Sequence, residues 1–159
     1  MVSTGSKRLR IRPAREQDIP DLLSLEVRAF EDGALSRRSF RRFLSGTGSV
    51  LLVATQERMF AGYALVLFRP RSPIARLYSL AVSGPAARRG VGVALITAVE
   101  GIARRRRCKV LRIDIPQKHA AGAACCRKAG FQDLDDAARR KKGMIQLEKP
   151  LYKIVRSPA

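Results

Sequence analysis

The sequence predicts a mixed α/β domain: a twisted, mostly antiparallel sheet of about six to seven strands flanked by four helices. Three observations lead there. Strand-patterned and helix-patterned segments follow one another so that βαβ-like order coexists with hairpins, which calls for a mixed sheet. The 159 residues, 46% of them hydrophobic, suffice for one core of ordinary size. No repeat or internal boundary interrupts the pattern, so one domain is expected over residues 8–153, with residues 1–7 and 154–159 as tails.

Leu9 and Ile11 alternate with arginines as a short strand that Pro13 ends. Asp18 can cap a helix carrying Leu22, Leu25 and Phe30, and Ser36 a second one with Phe40, Phe43 and Leu44 at helical spacing, closed by Gly46 and Gly48. Val50 to Thr55 and Ala61 to Phe68 read as a hairpin about the turn Gln56 to Arg58. Ile74 to Val82 is a further strand, broken by Ser83, Gly84 and Pro85. A helix opens near Gly90 and ends in the run Arg104 to Arg107, where cations complement the negative end of its dipole. Val110 to Ile115 is a strand stopped by Pro116, Ala120 to Ala129 a helix stopped by Gly130, and Phe131 to Asp133 and Met144 to Lys149 two last strands.

Lys and Arg number 32 against 13 Asp and Glu, a net charge of +19. Such a field draws in nucleic acid, the ribosome, anionic membranes or acidic substrates; the alternative is an arginine-rich but merely solvated surface. Aromatic residues are 6% and do not interleave with the basic runs, so no base-stacking surface is indicated. No run of ~18 apolar residues is present, and Met1 to Lys7 lacks the apolar stretch of a secretory signal. Cys108, Cys125 and Cys126 are odd in number and lack CxxC spacing, which argues for reduced thiols in a cytosolic protein. With His119 the single histidine, no metal site is expected.

The stretch that carries chemistry runs Leu80-Ala81-Val82-Ser83-Gly84-Pro85-Ala86-Ala87-Arg88-Arg89-Gly90-Val91-Gly92-Val93. A strand ends, glycines follow and a helix opens, which aims backbone N–H groups and the helix dipole at an anion. Gly90 and Gly92 admit a phosphate close to the backbone, and Arg88 and Arg89 add charge.

With this stretch the chain resembles the GCN5-related N-acetyltransferase family over Leu9 to Tyr152, and most of all bacterial members akin to the ribosomal-protein alanine acetyltransferases. The family's pyrophosphate loop reads Gln or Arg, two residues, Gly, one residue, Gly or Ala; here it is Ala87-Arg88-Arg89-Gly90-Val91-Gly92, with the glycines kept and the leading polar residue replaced. Arg127-Lys128-Ala129-Gly130-Phe131 is similar to the family's helix end, and Glu148-Lys149-Pro150-Leu151 to its final strand.

The resemblance implies acetyl-CoA as cosubstrate and a primary amine, either a peptide or protein N-terminus or a small molecule, as acceptor. It implies direct attack of the neutral amine on the thioester, in a monomer or a homodimer. The pyrophosphate would lie on the amides of Arg88 to Val93 and the pantetheine arm along Leu80, Ala81 and Val82, with the Val82 amide near the thioester carbonyl. Asp114 stands where the alanine-acetyltransferase-like members carry a base glutamate; it is either that base or a surface aspartate paired with Arg112 or another of the many arginines. Cys126 stands where the family places the tyrosine that protonates the departing thiolate, and is either that acid or a small buried helix residue. His119 stands where relatives often carry an asparagine that contacts the arm or the adjacent helix, and either supplies a similar hydrogen bond or is a solvent-exposed helix start. Leu134 to Gly143 departs from the family, so the relatives' acceptor specificity does not carry over.

Overall fold

The computed structural model of the chain describes residues 8–30, 34–84, 90–134 and 143–152. Its elements are β1 (Leu9–Pro13), α1 (Ile19–Ala29), α2 (Arg37–Ser45), β2 (Ser49–Gln56), β3 (Met59–Phe68), β4 (Ile74–Val82), α3 (Val91–Arg105), β5 (Val110–Pro116), α4 (Ala120–Lys128), β6 (Gln132–Asp133) and β7 (Met144–Pro150). This is the order read from the sequence, with two single 3-10 turns added at Glu16–Asp18 and Gln117–His119.

The strands form one sheet in the order β1-β2-β3-β4-β5-β7-β6, antiparallel throughout except where β4 meets β5. A core lies on each face. One joins α3 (Leu95, Ile96, Val99) and α4 (Ala123, Cys126) to Leu52, Ala64, Val66 and Leu111. The other joins α1 (Ile19, Leu22, Leu25) and α2 (Phe40) to Leu51, Val53, Tyr63 and Leu65. Alternate residues of β2 thus serve opposite cores, as the twofold period of a strand requires.

Ser36 caps α2 as expected, its Oγ accepting from Ser39 N at 3.1 Å. Asp18 departs from expectation: its side chain makes no cap bond to α1. The carboxylate turns back to accept from Arg15 N at 2.7 Å and from both arms of Arg12 at 2.7 and 2.8 Å. A bidentate charge-assisted pair outcompetes a single amide, and the 3-10 turn puts those partners within reach. The arginine run after α3 is fastened to the fold. Arg104 Nε donates to Leu151 O at 2.8 Å, and Arg106 donates to Thr47 O at 3.1 Å while lying over the Phe68 ring.

Two details of β4 position the site. Leu65 pairs with Ser79 and Val66 with Leu77, so Tyr78 is an extra residue bulged out of the ladder with β3. Ala75 and Leu77, before the bulge, enter the α3/α4 core, whereas Ala81, beyond it, enters the α1/α2 core. The parallel pairing with β5 covers only Ile74–Val110, Ala75–Leu111 and Arg76–Arg112, after which the strands part.

Candidate active site

The parting of β4 and β5 opens a cleft of about 690 Å3 that reaches both faces of the sheet. Its walls are Leu77 to Val82 on one side and Ile113 to Pro116 on the other. Glu26, Phe30 and Leu35 close it on the α1 face; Ala121, Gly122 and Cys126 line it on the α4 face.

The backbone of β4 is oriented for an extended ligand. Ser83 N donates to Ala61 O at 2.9 Å, so the alternation of an antiparallel ladder turns the amides of Val82 and Leu80 away from β3, towards the cleft. Gly62 holds that end of β4 tightly against β3: a Cβ there would lie 2.7 Å from Ala81 O and 3.1 Å from Val82 Cα.

Helix α3 starts beside Val82, since a Cβ on Gly92 would come within 3.6 Å of Val82 Cγ2. Gly90 caps the helix in the left-handed conformation, φ 79°, which a side chain would strain. The first helical donation runs from Ala94 N to Gly90 O at 3.0 Å, leaving the amides of Val91, Gly92 and Val93 directed out of the helix start, where an anion is favoured. Ala87, Arg88 and Arg89, the rest of the expected phosphate loop, lie outside the described residues.

Asp114 faces away from Ile113 and Ile115, both in the α3/α4 core, as strand alternation required. Its carboxylate is held by Arg76 of β4 and accepts from Gln146 Nε2 at 3.2 Å. The partner is Arg76 rather than Arg112, which turns to Glu148 at 3.2 Å. Cys126 lies on the opposite wall, 3% exposed. Burial, reinforced by neighbouring Cys125, pushes its thiol up to about 11. It therefore remains protonated at neutral pH. Donation to a thiolate of ordinary basicity, ~8.5, runs uphill by about 3 kcal/mol. A thiol so raised is a weaker acid than a free one. His119 ends the 3-10 turn after β5 and meets the Phe30 ring edge-on, centroids 5.8 Å apart, across the α1 side of the cleft.

The sequence reading passed over Glu26, which is 1% exposed and lines the cleft. Its Oε2 accepts from Leu35 N at 2.8 Å and its Oε1 from the Tyr63 hydroxyl, which in turn lies 2.7 Å from Ser79 Oγ. Burial pushes its carboxyl above the ordinary range, against the opposing hydrogen bond from Leu35. A signal was present: Glu26 interrupts the apolar face of Leu22, Leu25 and Ala29 on α1. Among the described residues no cluster of histidine, cysteine or carboxylate side chains could hold a metal, and no helix is long and apolar enough to cross a membrane.

Known proteins resemble the chain along most of its length. The model of the acetyltransferase (GNAT) family matches residues 18–131. The chain is 29% identical over 136 residues to an aminoglycoside N(6′)-acetyltransferase type 1 of Klebsiella aerogenes, an alignment covering 78% of this chain and 90% of that protein. A ribosomal-protein-alanine N-acetyltransferase of Brucella melitensis superposes with a TM-score of 0.72 at 27% identity, covering 89% of this chain and 99% of that one. The ribosomal-protein-S18-alanine N-acetyltransferase of Escherichia coli shares the fold, with a TM-score of 0.74 at 20% identity over 95% of this chain and 99% of that one.

Proposed function

The chain belongs to the acetyltransferase (GNAT) family of acetyl-CoA-dependent N-acetyltransferases, and from that premise we propose that its acceptor is a peptide or protein α-amine, acetylated by direct attack in a ternary complex. The observation that carries this reading is the parting of β4 and β5 after three paired residues, which leaves Leu80 and Val82 amides facing an open cleft. The pantetheine arm of acetyl-CoA fits there as a short additional strand, and its pyrophosphate fits the outward amides of Val91, Gly92 and Val93. Ala87, Arg88 and Arg89, which lie outside the described residues, are proposed to complete the phosphate site.

In this reading the amine nitrogen attacks the acetyl carbonyl carbon, the C–N bond forms as the C–S bond breaks, and the Val82 amide donates to the carbonyl oxygen as charge gathers on it. Both oxygens of Asp114 already accept hydrogen bonds, from Arg76 and Gln146, so we assign Asp114 to holding the amine in line. Cys126 and His119 are assigned to the walls of the arm and acceptor channels, and the departing thiolate takes its proton from solvent.

The acceptor class follows from charge. The carboxylates lining the cleft among the described residues are Glu26 and Asp114, both hydrogen-bonded, while Arg76 and Lys118 line it as cations. A polycation entering a chain of net charge +19 meets repulsion that a single α-amine, pKa ~8, largely avoids. The second reading, an aminoglycoside amine, is favoured by the likeness to the Klebsiella enzyme. Initial rates of CoA release with alanine-headed peptides and with kanamycin-type amines decide between them: faster turnover of the peptides supports the α-amine, and the reverse overturns it. Binding of acetyl-CoA without turnover of any amine would leave a GNAT-fold protein weakened in catalysis.

A further inference from the structure

We propose that Ser79, Tyr63 and Glu26 form a proton relay that carries the acceptor amine's proton from the cleft to a carboxylate buried under α1. The inference rests on the transfer reaction just described and adds the route by which its proton leaves.

The polarity of the chain is fixed by chemistry. A carboxylate only accepts, so the Tyr63 hydroxyl spends its single proton on Glu26 Oε1. The Tyr63 oxygen then accepts from Ser79 Oγ, 2.7 Å away, because Tyr63 has no second proton to give. Ser79 has in turn spent its proton, and its remaining lone pairs are acceptors. Ser79 lines the cleft one residue before Leu80, whose amide faces the pantetheine channel. An amine nitrogen that reaches Ser79 within the cleft thus meets an oxygen that can only accept.

Proton transfer balances along this line. The amine N–H proton passes to Ser79 Oγ, the Ser79 proton to Tyr63 and the Tyr63 proton to Glu26, so that the amine loses one proton and Glu26 gains one. The same hydroxyls return it to solvent after the acetylated product leaves. Burial raises the affinity of this carboxylate for a proton, which suits it to receive one. Each link is held by an element that has another reason to stay in place. Tyr63 is fully buried edge-on against Phe40, with centroids 5.8 Å apart, and Leu35 N fixes the second oxygen of Glu26. Asp114 faces the same cleft but is held by an arginine, whereas no cation is hydrogen-bonded to Glu26 among the described residues.

Single-turnover rates with acetyl-CoA and an alanine-headed peptide test the relay in Tyr63→Phe, Ser79→Ala and Ser79→Thr. The other titratable groups lining the cleft are Arg76, Tyr78, Asp114, Lys118, His119 and Cys126, and all are intact in these variants. The expected result at about pH 7 is a loss of about 100-fold for Tyr63→Phe and Ser79→Ala, at the low end of general-base effects. Acetyl-CoA affinity stays within about 2-fold, and Ser79→Thr, which keeps the hydroxyl, recovers most of the rate. The deficit narrows above about pH 9, where the α-amine is neutral without help. Wild-type rates in Tyr63→Phe, or a Ser79→Thr as slow as Ser79→Ala, overturn the relay and leave the transfer reaction standing. A wild-type protein that turns over no amine removes the acceptor reading and the relay with it.

Discussion

Replacing Gly62 by alanine puts a methyl group where β3 and β4 touch. The added Cβ would sit 2.7 Å from Ala81 O and 3.1 Å from Val82 Cα, with Leu95 Cδ1 at 3.5 Å. A carbon approaches a carbonyl oxygen comfortably at about 3.3 Å, so the strands must part by about 0.6 Å. Both close neighbours are backbone, so no side-chain rotation relieves the contact. The displaced segment carries the Val82 amide, and a misplacement of 1 Å at reacting groups costs about 100-fold; 0.6 Å scales to roughly 10- to 20-fold in kcat/KM. Overpacking a strand pair costs about 1–3 kcal/mol, which for a chain of this size lowers Tm by about 2–12 °C. The assay is CoA release at varied acetyl-CoA beside a thermal melt. Gly101→Ala is the control: beyond the backbone of its own helix, no described atom lies within 4 Å of its would-be Cβ in α3, so the melt should rise slightly and the rate stay level. Wild-type kcat/KM together with an unchanged Tm in Gly62→Ala would refute the reasoning, because it would mean that β4 is not held against β3 where the geometry places it.

Gly90→Asp joins a strained φ of 79° to a negative charge at the α3 start, and calorimetry should show acetyl-CoA binding weakened by at least about 10-fold. Cys126→Ala should keep kcat within about 3-fold, since a thiol pushed up to about 11 is a poor acid; a loss above about 100-fold would restore the acid role. In the native protein at about pH 8, a thiol reagent should modify exposed Cys125 first and leave buried Cys108 and Cys126, both pushed up by burial, unreacted. The Arg12 hydrogen bonds hold the Asp18 carboxyl below its ordinary 3.8, so its stabilisation is complete above that value and disappears as pH falls through the lowered one. Urea unfolding should therefore find Asp18→Asn less stable by about 1–3 kcal/mol near pH 7, with the gap closing in strong acid.

The order of elements was legible because each is written in local pattern: Leu9 and Ile11 alternate, Phe40, Phe43 and Leu44 repeat at helical spacing, and Pro116 and Gly130 punctuate. The placement of Leu80 to Val82 beside a glycine-opened helix was legible for the same reason, since strand, loop and helix are contiguous. What escaped depends on distant pairing. Nothing local says that β7 inserts between β5 and β6, or that Arg76, among 32 basic residues, is the partner of Asp114. The bulge at Tyr78 is hidden because β4 serves cores on both faces, so its residues do not alternate cleanly. Glu26 was visible as a charge within an apolar stripe, but its role emerges only when β3 and β4 bring Tyr63 and Ser79 beside it. Cys126 was placed on its helix, but the upward push on its thiol was not legible, because burial is a property of the assembled core.

Tyr78 also fixes something that substitution experiments would not see. One unmatched residue in β4 sends Ala75 and Leu77 to one face of the sheet and Ser79 and Ala81 to the other. Delete a single residue from this strand and the arithmetic reverses: the edge runs straight on beside β5, and either the leading or the trailing half turns its side chains to the wrong face. Many identities can therefore change along Ile74 to Val82 while the number of residues cannot. Homologous chains compared over this strand should differ by exchange and scarcely ever by insertion or loss.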